Sequence, residues 1–305
     1  MRDIDLLVVG DCNPDLILAG ARVRPAFGQG ETWVEDARLV VGGTSSITAC
    51  GAARLGLRTA MAAVVGDDLF GRFMLGELGR VGVSTGPVVT AADLPTGLSA
   101  VLVEPDDRAT LTFRGSIGAL EPAMVPDELL ARTRHVHSGG YFLQGAADLL
   151  ADVFQRARAA GATTSLDPGA DPDGRWDGGL SGLLPHLDHL LPNAAEARAL
   201  TGLAAAAEAA LQLAAAGPAV LVKCGPDGVL AAAGGEIHRA PALEVEVVDT
   251  IGAGDSTDAG WLAGMLHGWT AERAARLAAV CGSLSARAAG GTSAQPTLAE
   301  AIGHL

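Results

Sequence analysis

Short apolar runs alternate with longer helical patterns along this chain, and that alternation sets the fold class. Leu6-Leu7-Val8-Val9-Gly10 is continuously apolar, the pattern of a strand covered on both faces. Residues 16–40 mix apolar and polar positions with several glycines, which suits strands that lie over a pocket. Residues 44–55 read as a helix, and Gly56 is placed to end it. A strand at 61–65 precedes a helix that opens around Asp67-Asp68-Leu69-Phe70. Residues 98–104 and 109–113 read as two strands around a turn at 105–108. Strands then follow at 136–138, 163–166, 187–191, 219–222, 229–233 and 243–248. Helices at 146–160, 194–200 and 203–216 lie among them. Such strand–helix alternation predicts right-handed crossovers and an α/β fold with a mainly parallel sheet, covered by helices on both faces. Ligands of these sheets sit at the carboxyl ends of the strands. Asn193, Gly225 and residues 249–255 all fall just after strands, so they can meet on one edge.

Composition narrows the class. The 305 residues are 49% hydrophobic, enough for a sizeable core, but only 4% aromatic, so Leu, Val and Ala must fill it. A net charge of −14 argues against nucleic acid as a partner and leaves room for a locally positive pocket. Cys12, Cys50, Cys224 and Cys281 form no Cys-x-x-Cys pair and no metal-ligand cluster, which points to buried free thiols in a reducing compartment. Two acids precede the first apolar run, unlike a signal peptide, and no uncharged apolar run reaches membrane-spanning length. The expected location is cytoplasmic, with no membrane partner.

The candidate chemistry sits at Asp249-Thr250-Ile251-Gly252-Ala253-Gly254-Asp255 and the helical run after it. Three residues without bulk let backbone N–H groups converge at a helix start, where the dipole adds positive character and favours an anion. Asp255 beside them is a carboxylate able to take a proton from an attacking hydroxyl. Anion pocket plus base suits phosphoryl transfer to an alcohol. A plain tight turn with a dipole-favoured acid explains the same residues. Asn193 and Glu196, three apart at a helix start, share a face that can hold water around Mg²⁺; a helix capping box explains them equally. Gly225 and Gly228 allow close backbone approach to a nucleotide, or simply a hairpin turn.

The string 249–255 closely resembles the second signature of the ribokinase-like (PfkB) carbohydrate kinases. Gly42-Gly43 with Ala49 and Leu55-Gly56 is similar to the first signature. Val65-Gly66-Asp67-Asp68-Leu69-Phe70-Gly71, Asn193-Ala194-Ala195-Glu196 with Leu200-Thr201-Gly202, Val222-Lys223-Cys224-Gly225-Pro226-Asp227-Gly228 and residues 290–296 resemble further family blocks in the same order. The resemblance implies a ribokinase-like three-layer sandwich with a small β lid. The chain, 1–305, would form one kinase domain, with lid segments near 12–40 and 95–115. It also implies Asp255 as catalytic base, with Gly252, Ala253 and Gly254 as anion hole. ATP would lie against Asn193, Lys223, Gly225, Gly228 and Gly254, and Mg²⁺ would be held through water by Asn193 and Glu196. Asp249 and Ile251 resemble the family's site for a monovalent cation such as K⁺. Lys223 either touches a phosphate or caps a strand end.

On the acceptor side the resemblance implicates Asn13, Asp15, Gly42, Gly43 and Thr44. Ile47 stands where the family usually has Asn, and Thr257 where many members have Phe. Arg114, after a lid strand, resembles an arginine that meets the carboxylate of keto-sugar acids; a solvated edge arginine is the alternative. The expected reaction is transfer of the ATP γ-phosphate to a hydroxyl, taken as primary, of a sugar or sugar acid. Alternatives are a nucleoside kinase of the same family and a non-catalytic sugar- or nucleotide-binding regulator. A dinucleotide-dependent oxidoreductase is disfavoured, since no Gly-x-Gly-x-x-Gly follows the first strand. Open lid edges favour a homodimer.

Overall fold

The first apolar run becomes an interior strand whose alternate side chains feed two separate cores. The structure, a computed structural model, describes residues 2–105, 107–176 and 178–305. Asp106, in the turn expected at 105–108, lies outside the described residues. The strands in chain order are β1 (Ile4–Val9), β2 (Pro14–Ala19), β3 (Asp36–Val41), β4 (Thr59–Ala62), β5 (Val64–Gly66), β6 (Val89–Ala91) and β7 (Leu98–Glu104). They continue as β8 (Asp107–Phe113), β9 (Thr133–Ser138), β10 (Thr163–Leu166), β11 (His189–Leu190), β12 (Ala219–Lys223), β13 (Val229–Ala233) and β14 (Glu236–Ala240).

The main sheet has the order β14-β13-β12-β11-β10-β9-β1-β4. It is parallel from β4 to β12, and β13 and β14 join antiparallel. Side chains alternate across a strand, so Leu6 and Val8 enter one core with helices Thr44–Arg54, Ala253–Leu266 and Ala271–Ser285. Leu7 and Val9 enter the other, with helices Ala147–Ala159 and Ala206–Ala214. Two cores on one sheet give the three-layer α/β arrangement that the alternation predicts. The chain leaves β1 for β4 on one side and returns to β9 on the other. That reversal opens a crevice beyond the carboxyl end of β1, the usual ligand position.

Four strands form a second sheet, β3-β2-β7-β8, in the lid segments. Its register aligns rows of residues on one face: Asp15, Ser99 and Thr112; then Ile17, Val101 and Thr110; then Ala19, Val103 and Arg108. Ile17 and Val101 pack with Ile251, which fixes this face towards the helix start at 252–255.

Several elements differ from their expected form. The 61–65 strand is two, β4 and β5, interrupted at Ala63. The 203–216 helix begins at Ala206, because Gly202 ends the previous helix in a left-handed turn and Leu203 N–H donates to Thr201 Oγ1 at 3.2 Å. Residues 243–248 form no strand. Their backbone bonds go to a helix end: Leu243 N–H donates to Ser283 Oγ and Val248 N–H to the Ala286 carbonyl. The edge strand β14, after Gly234-Gly235, was not anticipated; its alternation is too weak to mark it. Strand β8 starts at Asp107, two residues before its expected start.

Candidate active site

A cavity of about 240 Å³ lies between the carboxyl end of β1, the lid and the start of helix Ala253–Leu266. Asp11 forms its floor. The carboxylate accepts from Thr44 N–H at 3.0 Å and Ser45 N–H at 2.9 Å, tying β1 to the first turn of helix Thr44–Arg54. An acid at a helix N-terminus is favoured, yet burial still raises the Asp11 pKa. Asn13 is buried and lines the cavity, and its Oδ1 has no protein partner among the described residues. Asp15 beside it is pushed up to about 7, by burial first and then by Asp11. Gly42 and Gly43 make this packing possible. A Cβ on Gly42 would lie 2.1 Å from Asp15 Oδ1, and one on Gly43, at φ 76°, would lie 2.9 Å from Asp11 Oδ2. Gly43 and Thr44 line the cavity, whereas Gly42 stands behind Asp15.

Asp255 enters from the opposite wall, in the first turn of helix Ala253–Leu266. Its pKa is well above the ordinary carboxylate value, by burial and then by the charge of Asp167. Gly252 begins that helix at φ 72°, and a Cβ there would meet Gly291 Cα at 2.5 Å, so only glycine fits. The expected three N–H donors are not equivalent. Ala253 N–H turns back to the Thr250 carbonyl at 3.2 Å. Gly254 and Asp255 occupy the next positions, whose N–H groups have no intrahelical partner. Ile47 also lines the cavity, and its side chain fills the space beside Gly291. Thr257 packs against Gly282, where a Cβ would lie 2.2 Å from its hydroxyl.

Lys223, at the end of β12, is buried behind Gly254. Its Nζ lies 2.8 Å from Asp167 and 2.9 Å from Asp258. Burial alone would lower the lysine pKa; Asp167, Asp258 and Glu196 hold it above its ordinary value. Burial also opposes charge on both acids, but Lys223 and the contact from Asp258 keep Asp167 low, while Asp258 rises. Lys223 Nζ is thus held between two carboxylates beneath Gly254.

Asn193 and Glu196 form a complete capping box: Asn193 Oδ1 accepts from Ala195 and Glu196 N–H, and Glu196 accepts from Asn193 N–H at 2.8 Å. Glu196 is buried and pushed up to about 7, by burial and then by Asp167. The bridge from Asn193 to Lys223 places both beside the β12–β13 turn. Gly225 faces open space there. Gly228 packs against the backbone of 240–242, where a Cβ would lie 2.1 Å from the Ala240 carbonyl. Asp249 accepts from Ile251 and Gly290 N–H at 2.9 Å each, clasping the 249–252 turn to the C-terminal loop.

Arg114 is a correction. Its guanidinium donates to the carbonyls of Ile117 at 3.2 Å and Gln144 at 3.1 Å, because a sharp turn at Gly115 folds the chain under it. It does not line the cavity; Arg108 does. Asp11, Asp167, Asp258 and Arg108 were missed as site residues. Asp11 and Asp167 carry the sequence signal of an acid directly after a buried strand. A larger groove of about 760 Å³ opens at the other end of β1 and β4. Its Arg58 and Arg132 are paired with Asp5 and Asp3, and it lies away from these groups.

Solved structures place this architecture among ribokinase-like α/β folds. A putative ribokinase II from E. coli, in complex with ATP and Mg²⁺, aligns with TM-score 0.86 at 22% identity over 99% of this chain and 98% of its own. The ribokinase of Arabidopsis thaliana complexed with ribose and ATP aligns with TM-score 0.85 at 24% identity over 98% of each chain. In sequence, residues 3–298 match the family described as pfkB family carbohydrate kinase, and the chain belongs to that family. It is 31% identical over 273 residues to the 2-dehydro-3-deoxygluconokinase of Bacillus subtilis, covering 84% of this chain and 83% of that protein. It is likewise 31% identical over 297 residues to the ATP-dependent ribose-1-phosphate kinase of Halopiger xanaduensis, covering 95% of each. The protein is a carbohydrate kinase.

Proposed function

We propose that this kinase transfers the γ-phosphate of ATP to a primary hydroxyl of a sugar or sugar acid, with Asp255 as the general base. The observation that carries the reading is the pairing of Asp255 with Asn13 and Asp15 across one cavity. The unpartnered Asn13 Oδ1 is an acceptor waiting for a hydroxyl donor, and Asp15 is a second. Together they hold a polyol so that one hydroxyl faces Asp255. A base whose pKa is raised towards the working pH takes that proton more effectively than an ordinary aspartate. The N–H groups of Gly254 and its helix turn, backed by Lys223, stabilise negative charge that develops on the phosphoryl group. The acidic floor at Asp11 and Asp15 would otherwise repel it.

The open face at Gly225, next to Asn193 and Glu196, fits a nucleotide with Mg²⁺. Mg²⁺ held there through water would offset phosphate charge. The lid covers the acceptor and excludes water, which otherwise hydrolyses ATP. Two relatives are named as kinases of a sugar acid and of a sugar phosphate, which supports an acceptor of that kind. The test is ADP release with Mg²⁺-ATP across sugars, sugar acids and nucleosides. A best acceptor among sugars or sugar acids is the expected result; a nucleoside, or no turnover at all, overturns it.

A further inference from the structure

The two helices whose first turns form opposite walls of the cavity are bridged by one buried amide from the C-terminal loop. Gln295 Nε2 donates to the Ile47 carbonyl of helix Thr44–Arg54 at 3.0 Å and to Ser256 Oγ of helix Ala253–Leu266 at 3.0 Å. Ser256 directly follows Asp255, and Ile47 lies in the turn whose Thr44 and Ser45 N–H groups hold Asp11. Gln295 and Ser256 are both buried. Only a donor can meet the Ile47 carbonyl, so that contact fixes which end of the amide points there. The other end, Oε1, is buried with no hydrogen-bond partner among the described residues. The surroundings are shaped to the amide. A Cβ on Gly51, one turn beyond Ile47, would lie 2.9 Å from Gln295 Nε2 and 2.8 Å from Ala259 Cβ, so the amide occupies the space a side chain there would need. Arg54 donates to the Gln295 carbonyl at 3.2 Å and pins the loop from the same helix. Earlier in the loop, a Cβ on Gly291 would meet Ile47 Cδ1 at 2.6 Å, and one on Gly252 would meet Gly291 Cα at 2.5 Å. The loop therefore runs in contact with both helix starts.

We infer that Gln295 is a positioning residue: its amide sets the spacing of the two helix starts and thereby aims Asp255 at the acceptor. Thr48 adds a parallel tie, its hydroxyl donating to the Asp255 carbonyl at 3.3 Å. Gln295 and Ser256 are not among the residues that line the cavity, so their effect passes through the backbone of Asp255. Packing alone does not account for the arrangement. A buried carbonyl oxygen left unpaired costs stability, so an amide is a poor choice if the position only has to be filled. Ile47 lies in a helix, where its carbonyl already accepts an intrahelical bond. The Ser256 hydroxyl can turn back to a carbonyl of its own helix once the amide is gone. An apolar residue of similar length would therefore fill the space at little cost to the fold. It would not hold the two helix starts at hydrogen-bonding distance. That matters for rate, because a misplacement of about 1 Å at reacting groups costs about a hundredfold. The inference rests on the role proposed for Asp255 and adds a residue that acts through it.

The test is steady-state and single-turnover kinetics, with thermal unfolding, using Mg²⁺-ATP and the best acceptor of the wild type. Gln295→Met should slow the chemical step roughly ten- to a hundredfold, leave both KM values within about threefold and keep Tm near that of wild type. Gln295→Glu keeps the shape but turns an oxygen towards the Ile47 carbonyl, so the chemical step should slow at least as far. A double-mutant cycle then reads the bridge itself. Ser256→Ala should slow the step in the wild-type background and add nothing in Gln295→Met. A wild-type rate in Gln295→Met, or effects of the two substitutions that simply multiply, overturns the inference. So does a Gln295→Met protein that is unfolded at the assay temperature, since the amide then serves the fold. Turnover that survives in Asp255→Asn overturns the base assignment and this inference together. An inactive Asp255→Asn beside a fully active Gln295→Met overturns this inference alone.

Discussion

Asp15 carries the clearest conflict between stability and function at the scale of a single residue. Its folded pKa, about 7, stands above the ordinary 3.8, so the folded state holds the proton more tightly than the unfolded chain. The sign follows. Below about pH 3.8 both states are protonated and nothing is lost. As pH rises towards 7 the unfolded chain ionises first, and stability falls by about 1.4 kcal/mol per unit, or about 4 kcal/mol across the window. Asp15→Asn should therefore raise Tm at pH 8 and show little gain at pH 4, while raising the acceptor KM at least about tenfold. A Tm gain independent of pH would show that the carboxyl is not held neutral. Asp255 differs, because the role proposed for it is chemical. Asp255→Asn keeps the shape but accepts no proton, so kcat should fall by several orders of magnitude with ATP affinity nearly intact. Retention of more than about a tenth of kcat, with chemistry rate-limiting, would remove Asp255 from that role.

Among the elements, helix Ala194–Thr201 carries one explanation that its geometry shows and a second that is proposed. Its capping box is complete, and the same two side chains adjoin the turn that faces the proposed nucleotide. Glu196→Gln separates them. If the carboxylate holds metal-bound waters, the Mg²⁺ concentration for half-maximal rate should rise, because an amide holds those waters less strongly. A fall of about 1 kcal/mol in stability with unchanged Mg²⁺ dependence would leave only the cap. The elements legible in the sequence are those whose signal is local. Strand β1 reads from its apolar run, and the helix start at Gly252 reads from its small residues and trailing acid. Residues 243–248 misled because their apolar pattern resembles a strand while their partners belong to a helix end distant in sequence. Arg114 misled for a related reason: whether a guanidinium meets a ligand or a carbonyl depends on how the turn at Gly115 folds beneath it. Arg108 carried no local mark; only the register of β7 with β8 brings it to the cavity.

Across the whole molecule, Lys223, Asp167 and Asp258 bind β12, the end of β10 and helix Ala253–Leu266 together beneath the site. Removing one partner of such a buried pair leaves charge uncompensated, so losing any of the three is expected to loosen all three elements at once. The inner face of the lid meets that frame through a small apolar cluster of Ile17, Val101 and Ile251. The free thiols divide by chemical reactivity. Cys12, Cys50 and Cys281 are buried in the frame, and burial pushes the first two up to about 12 and the third higher still. A thiolate-directed alkylating reagent should pass them by until the chain opens globally, so their labelling rate becomes a clock for unfolding. Cys224 is half-buried, between Lys223 and Gly225 at the turn proposed to face the nucleotide. It should label first, and Mg²⁺-ATP should slow it while leaving the other three unchanged. Equal labelling with and without nucleotide would place ATP elsewhere on the molecule.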